Sequence, residues 1–150
     1  MDAYEAIRLV MFRYCDTIDR GDFEATGALF TPDATYGPIG RTPAVGGASV
    51  TAALQRNVLL YNGVPSTRHN VSNVMIELSD DGVSATAQSY LHVLHQAPGG
   101  PIITMVAGTY FDRFVLADGE WRFAARSMDI ELVGDMSTHL RVSSFRPRAG

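Results

Sequence analysis

The chain has 150 residues, 46% of them apolar and 19% charged, with 16 acidic side chains against 12 basic ones for a formal net charge of −4. A domain of that size buries roughly 70% of the surface its unfolded chain exposes, enough for a core around a small ligand. The acidic balance and the lack of a basic stripe argue against nucleic acid, and no apolar run approaches the ~20 residues that cross a bilayer. From the N-terminus, Asp2 can cap a helix whose apolar face runs through Tyr4, Ile7, Met11, Tyr14 and Ile18 until Arg20-Gly21 stops it. Asp22 then caps a short second helix through Phe23, Ala28, Leu29 and Phe30, ended by Thr31-Pro32-Asp33. Ala34-Thr35-Tyr36 reads as a short extended piece. It leads into a Gly- and Pro-rich loop from Gly37 to Gly47, long enough to be functional. Ser49 is the expected cap of a third helix through Val50, Ala53, Leu54, Val58 and Tyr61, closed by Asn62-Gly63.

After Pro65 the pattern becomes β. Four strands are predicted over 67–78, 83–97, 101–117 and 120–133, separated by Asp81-Gly82, Pro98-Gly99-Gly100-Pro101 and Asp118-Gly119. Connections that short imply an antiparallel meander. The stretch from Asp135 to Gly150, with Pro147, has no period and reads as an extra strand, a lid or a loose end. The expected organisation is one domain over 1–134 and a C-terminal tail over 135–150. The fold class is α+β: three N-terminal helices on a strongly curved, mainly antiparallel sheet, a cone-shaped barrel with a mouth.

Several chemistries drop out. Cys15 is the only cysteine, so no intrachain disulfide and no thiolate zinc site forms, and the basic residues are all Arg, which removes lysine nucleophiles. No dinucleotide fingerprint, phosphate loop or nucleophile elbow is present, and the scattered His and acids lack metal-ligand spacing. No cofactor and no metal is therefore expected. Asn70-Val71-Ser72 fits the glycosylation triplet, but the N-terminal MDAYEAIRLV is acidic where a secretory leader is basic, so the expected location is the cytoplasm.

What remains is acid–base chemistry. The helical wheel places Asp19 between Cys15 and Phe12 at the edge of the buried stripe, either as a helix-end carboxylate turned to solvent or as a site group. Tyr14 lies inside the stripe, where a phenol packs in the core and satisfies its hydroxyl with one partner. His69 shares a strand face with Val71 and Met75, so it points inward either as a structural histidine or as a base. His92 and His95 fall on opposite strand faces, and parity does not say which one sees the interior. His139, in the tail, reads as a surface residue.

Arg13-Tyr14-x-x-x-Ile18-Asp19-x-Gly21-Asp22-Phe23, Leu29-Phe30-Thr31-Pro32-Asp33-Ala34, Thr67-Arg68-His69-Asn70-Val71-Ser72-Asn73, Gly108-Thr109-Tyr110-x-Asp112 and Asp118-Gly119-x-Trp121-Arg122-Phe123 follow one another in this order. Together they resemble the SnoaL-like branch of the nuclear transport factor 2-like superfamily. The resemblance runs from about residue 5 to residue 132 and implies a deep pocket in a cone, and a homodimer through the outer face of the sheet.

Enzymes of that branch, such as scytalone dehydratase, bile acid 7α-dehydratase and hexachlorocyclohexane dehydrochlorinase, pair an Asp at the end of the first helix with a His at the start of the first long strand. Asp19 and His69 stand at those positions. The resemblance further implies roles for Tyr14, for His95 as a second imidazole, and for Tyr36 as a donor. Phe12, Cys15, Val71, Val93 and Tyr110 are the expected substrate contacts. Ile18 and Tyr110 depart from the residues of the scytalone enzyme, so substrate identity does not carry over. The implied function is a cofactor-independent dehydratase, lyase, cyclase or isomerase acting on a hydrophobic oxygenated small molecule. The alternative is a ligand-binding or scaffold subunit similar to the small subunit of ring-hydroxylating dioxygenases.

Overall fold

A computed structural model describes residues 1–141 of the chain. The first helix, α1 (Ala3–Asp19), starts where Asp2 accepts a hydrogen bond from the Glu5 amide at 2.8 Å. It buries Ile7, Met11, Tyr14 and Ile18 as the periodicity predicts, together with Val10, Cys15, Thr17 and Asp19. Tyr4 lies beyond the covered part of the stripe and is exposed. The helix ends at Gly21, whose φ of 74° suits glycine and where a Cβ would strike the Gly63 carbonyl. Gly21→Ala therefore strains the turn that fixes the last residue of α1. Asp22 caps α2 (Phe23–Gly27) by accepting from the Ala25 amide at 3.1 Å.

Helix α2 is shorter than its pattern predicts because Phe30 already belongs to β1 (Phe30–Pro38). The Phe30 ring stacks on Phe123 with centroids 4.8 Å apart, and that contact draws residue 30 into the sheet. Part of the predicted loop forms β2 (Ala44–Val45), antiparallel to β1. Helix α3 (Gly47–Asn57) begins before Ser49 and has no side-chain cap. Its first turn lies on α2 so closely that a Cβ on Gly47 would meet the Gly27 carbonyl. It stops before Tyr61 because Val58 bridges to Leu140 and the Leu59 amide donates to the His139 carbonyl at 2.8 Å.

The long strands follow as β3 (Thr67–Leu78), β4 (Ser84–His95), β5 (Ile103–Ala117) and β6 (Glu120–Val133). They form a six-stranded open sheet in the order β2-β1-β6-β5-β4-β3, antiparallel except where β1 runs parallel to β6. The fold is thus an α+β cone, with the helices against the concave face. A bulge in β3 shifts the register between Ser72 and Met75, with Asn73 at φ 53°. His69 keeps its inward orientation, but Met75 is turned out and exposed, contrary to simple alternation.

Ile7, Met11, Val50, Phe114 and Phe123 fill the core, each burial worth about 1.5–3 kcal/mol relative to exposure. Beyond β6 the chain crosses the mouth of the cone. The Gly134 amide donates to the Met105 carbonyl at 2.7 Å and the Arg141 amide to the Asn57 carbonyl at 2.8 Å. The rest of the predicted tail, 142–150, lies outside the described residues. No described helix is long and apolar enough to cross a membrane.

Candidate active site

The cone encloses a cavity of about 290 Å³. Ile18 and Leu54 bring apolar surface from the helices, Val93, Met105 and Met128 from the sheet, and Met136 from the crossing segment. Into this apolar volume the fold inserts a few polar side chains. His69 is one of them, placed by β3 directly against the C-terminal end of α1.

The His69 Nδ1 lies 2.7 Å from Asp19 Oδ1, the His69 amide donates to Asp19 Oδ2 at 2.9 Å, and the Thr67 hydroxyl donates to Oδ1 at 2.7 Å. The two side chains are only 11% and 8% exposed. Burial alone would raise the Asp19 carboxyl, but the hydrogen bonds and charge of His69 and the bond from Thr67 outweigh it and hold the group below the usual carboxylate range. An ionised Asp19 can only accept, so Nδ1 of the neutral ring carries the proton and Nε2 keeps its lone pair.

Tyr14 and Tyr36 face the same cavity, their hydroxyls 2.7 Å apart. Burial raises both phenols, so both stay protonated. One proton is consumed in the bond between them, and the other is available to a guest. Tyr14 thus satisfies its hydroxyl with one partner, as its place in the stripe predicts.

Beneath these rings lies a second acid–base pair. Arg126 donates from Nε and Nη2 to the two carboxylate oxygens of Asp112, both at 2.8 Å, and neither side chain is exposed. The guanidinium carbon stands 3.7 Å from the Tyr110 ring centroid, 4.2 Å from that of Tyr14 and 4.5 Å from that of Phe123. Burial alone would lower the Arg126 guanidinium, but the Asp112 carboxylate overrides it and holds the cation protonated. Sequence reasoning missed Arg126. The available signal was Asp112, which shares an inward parity with Tyr110 and so requires a cation; its partner emerges only from the β5–β6 register that sets it opposite Arg126.

Of the candidate site residues, Tyr14, Tyr36, His69, Val93 and Tyr110 line the cavity. Others do not. Phe12 is 49% exposed, because it sits a full 100° round α1 from Met11 and the sheet covers one face of the helix. Cys15 is buried in packed core outside the cavity lining, and burial pushes its thiol up to about 11. Val71 packs against the core without reaching the cavity. His95, not His92, is the inward residue of β4, but both of its nitrogens are occupied within the protein: Nδ1 lies 3.0 Å from the Ser66 carbonyl and Nε2 2.9 Å from the Thr138 hydroxyl. It is a structural anchor of the crossing segment and does not line the cavity.

His139 reverses its expectation as well. It is 7% exposed and lines the cavity, because the segment after β6 folds back over the mouth. Burial, then the neighbouring His69 and His95, push its imidazole down to about 4. Among the described residues no three His, Cys, Asp or Glu side chains converge as metal ligands.

Residues 1–127 match the family model of the SnoaL-like domain. No curated protein matches the chain. Among solved structures, a protein of unknown function from Mycobacterium tuberculosis is 28% identical, with 89% of this chain and 75% of that chain covered at a TM-score of 0.73. A protein of Novosphingobium aromaticivorans DSM 12444, provisionally assigned as a scytalone dehydratase, is 24% identical over 98% of this chain and 93% of its own, at a TM-score of 0.76. An NTF2-like protein with a cystatin-like fold from Novosphingobium aromaticivorans is 22% identical over 90% and 85%, at 0.72. At those identities the last two report a shared fold, and a fold does not name a reaction.

Proposed function

This chain belongs to the SnoaL-like domain family, and from that premise we propose that it is a cofactor-independent acid–base enzyme of the dehydratase, lyase, cyclase or isomerase kind, acting on a hydrophobic oxygenated small molecule. The observation that carries the reading is the Asp19–His69 bond of 2.7 Å at the edge of an apolar cavity that His69 faces. A ligand carrier or scaffold, the second reading of the sequence, has no use for a carboxylate that fixes a tautomer.

In this reading His69 Nε2 removes a proton from the carbon beside a substrate carbonyl, and Asp19 stabilises the imidazolium that forms. The electron pair of the broken C–H bond moves into the enolate, whose oxygen accepts the free proton of the Tyr14–Tyr36 pair as a hydrogen bond. When the enolate collapses it expels a hydroxyl from the next carbon. That hydroxyl takes the proton from His69 and departs as water, leaving a carbon–carbon double bond and the neutral base. Without a leaving group the same enolate is reprotonated at another carbon, which is isomerisation, or attacks a second carbonyl, which is cyclisation.

Every branch begins with α-proton removal, so deuterium exchange tests them all. With 1-tetralone in D₂O followed by proton NMR, the wild-type protein accelerates loss of the α-proton signal and His69→Ala does not. Equal exchange by both proteins contradicts the reading. The homodimer belongs to the same proposal. Met75 on β3 and Phe111 on β5 both stand opposite Gln88 of β4 and are exposed on the outer face, with Tyr90 nearby. Sedimentation of wild type as a dimer and of Phe111→Glu as a monomer is the expected pattern.

A further inference from the structure

Three buried side-chain atoms lack a hydrogen-bond partner among the described residues: Ser89 Oγ, Arg126 Nη1 and His139 Nδ1. Of their residues, only His139 borders the cavity. Its backbone is fixed, the amide donating to the Met136 carbonyl at 3.0 Å and the carbonyl accepting from Leu59. Its ring lies 5.8 Å from that of His95, which Ser66 and Thr138 hold in place. Nδ1 is itself sealed, and Nε2 makes no hydrogen bond with the described residues, so the crossing segment presents a positioned imidazole at the cavity wall whose Nε2 is left to a guest.

We propose that His139 is a substrate-binding, specificity-determining residue that hydrogen-bonds a second oxygen substituent of the guest. Resting on the function proposed above, this defines the substrate class: a ring compound of mainly apolar surface carrying two oxygens, one for the Tyr14–Tyr36 hydroxyls and one for His139. The cavity volume of about 290 Å³ suits a fused-ring skeleton. The lowered basicity of His139 keeps the ring neutral, and a nitrogen of a neutral imidazole either donates to a hydroxyl oxygen or accepts a hydroxyl proton.

The probes are 2-naphthol and 2,7-dihydroxynaphthalene, titrated calorimetrically into the full chain. Wild type binds the diol about tenfold more tightly than the mono-ol, the size of one well-made buried hydrogen bond. His139→Phe loses that preference and His139→Gln keeps part of it. An unchanged preference in His139→Phe, or no preference in wild type, overturns the proposal. If His139→Phe does not fold, ¹⁵N NMR of the wild-type imidazoles decides: the His139 ring nitrogens shift with the diol but not with the mono-ol, and a ring indifferent to both overturns the assignment. Binding involves no proton abstraction. The diol preference thus sustains this proposal even if α-proton exchange fails, and its loss leaves the exchange result standing.

Discussion

Two carboxylates of this protein each grip a basic partner, and they do so to opposite ends. Asp112 holds Arg126 bidentately in a compartment with no exposure, sealed by the rings of Tyr14, Tyr110 and Phe123. Asp19 holds only one nitrogen of His69, at the edge of a cavity, and leaves the other nitrogen unengaged by the carboxylate. A guanidinium locked in this way cannot release a proton, whereas an imidazole held by one edge keeps the other edge for chemistry. The first pair gives the floor under the tyrosines a fixed charge and shape. In the proposed reaction the second is the one that moves a proton.

The largest effect separates the pairs by function. His69→Ala is expected to lower turnover by about 10²–10⁴-fold, the usual worth of a positioned base, while the urea midpoint moves little. A large stability loss with unaltered turnover would give His69 the structural role assigned here to Arg126. Next, Arg126→Leu strands the Asp112 carboxylate in the core and should destabilise the fold by about 3–5 kcal/mol in urea titration. A loss under about 1 kcal/mol there would show that the sealed compartment admits water.

Acid sharpens the contrast by a smaller amount. Unfolded histidine titrates near about 6.5, and His139 in the fold near about 4, so the folded state binds fewer protons in that window. Stability is therefore full above about pH 6.5 and falls as the pH drops towards about 4. Asp19, held below its ordinary value, adds a further loss below about pH 4. Thermal midpoints against pH should show the upper slope in wild type and lose it in His139→Phe; an identical slope in both would contradict the burial assigned to His139. The smallest effect is Tyr36→Phe. It leaves the Tyr14 hydroxyl but removes one of the two protons, and about a tenfold drop in kcat with KM little changed is expected.

Where these pairs stand in the chain explains which of them a reader of the sequence can see. Asp19 is the last residue of a well-signalled helix and His69 opens a well-signalled strand, so both bounds are local. The motif resemblance supplies the pairing. Tyr14 follows from the helical period. Arg126 does not, because a register shift between Arg113 and Phe114 breaks the alternation of β6 after Phe123 and switches which parity faces inward. The bulge at Asn73 hides the outward turn of Met75 in the same way. Both depend on pairing across strands, which no local pattern records.

Phe12 and His139 are misread for different reasons. A helical wheel ranks positions by angle but does not say how wide a stripe the sheet will cover, and Phe12 lies past that edge. His139 lies in a segment with no period at all. What buries it is the pairing of that segment with residues 57–59, some 80 positions earlier in the chain, through the Asn57 carbonyl, the Val58 bridge and the Leu59 amide. The four long strands, by contrast, follow from Gly-rich turns and apolar alternation and agree with prediction to within a few residues.

The proposed reaction turns on the protonation state of one ring. In ¹⁵N NMR of imidazole-labelled protein in mildly alkaline buffer, His69 should show a protonated Nδ1, with its proton far downfield in the bond to Asp19, and an unprotonated Nε2. Asp19→Asn should abolish that downfield resonance. An Nε2-protonated His69 in the wild type, or a ring unchanged by Asp19→Asn, would contradict the account.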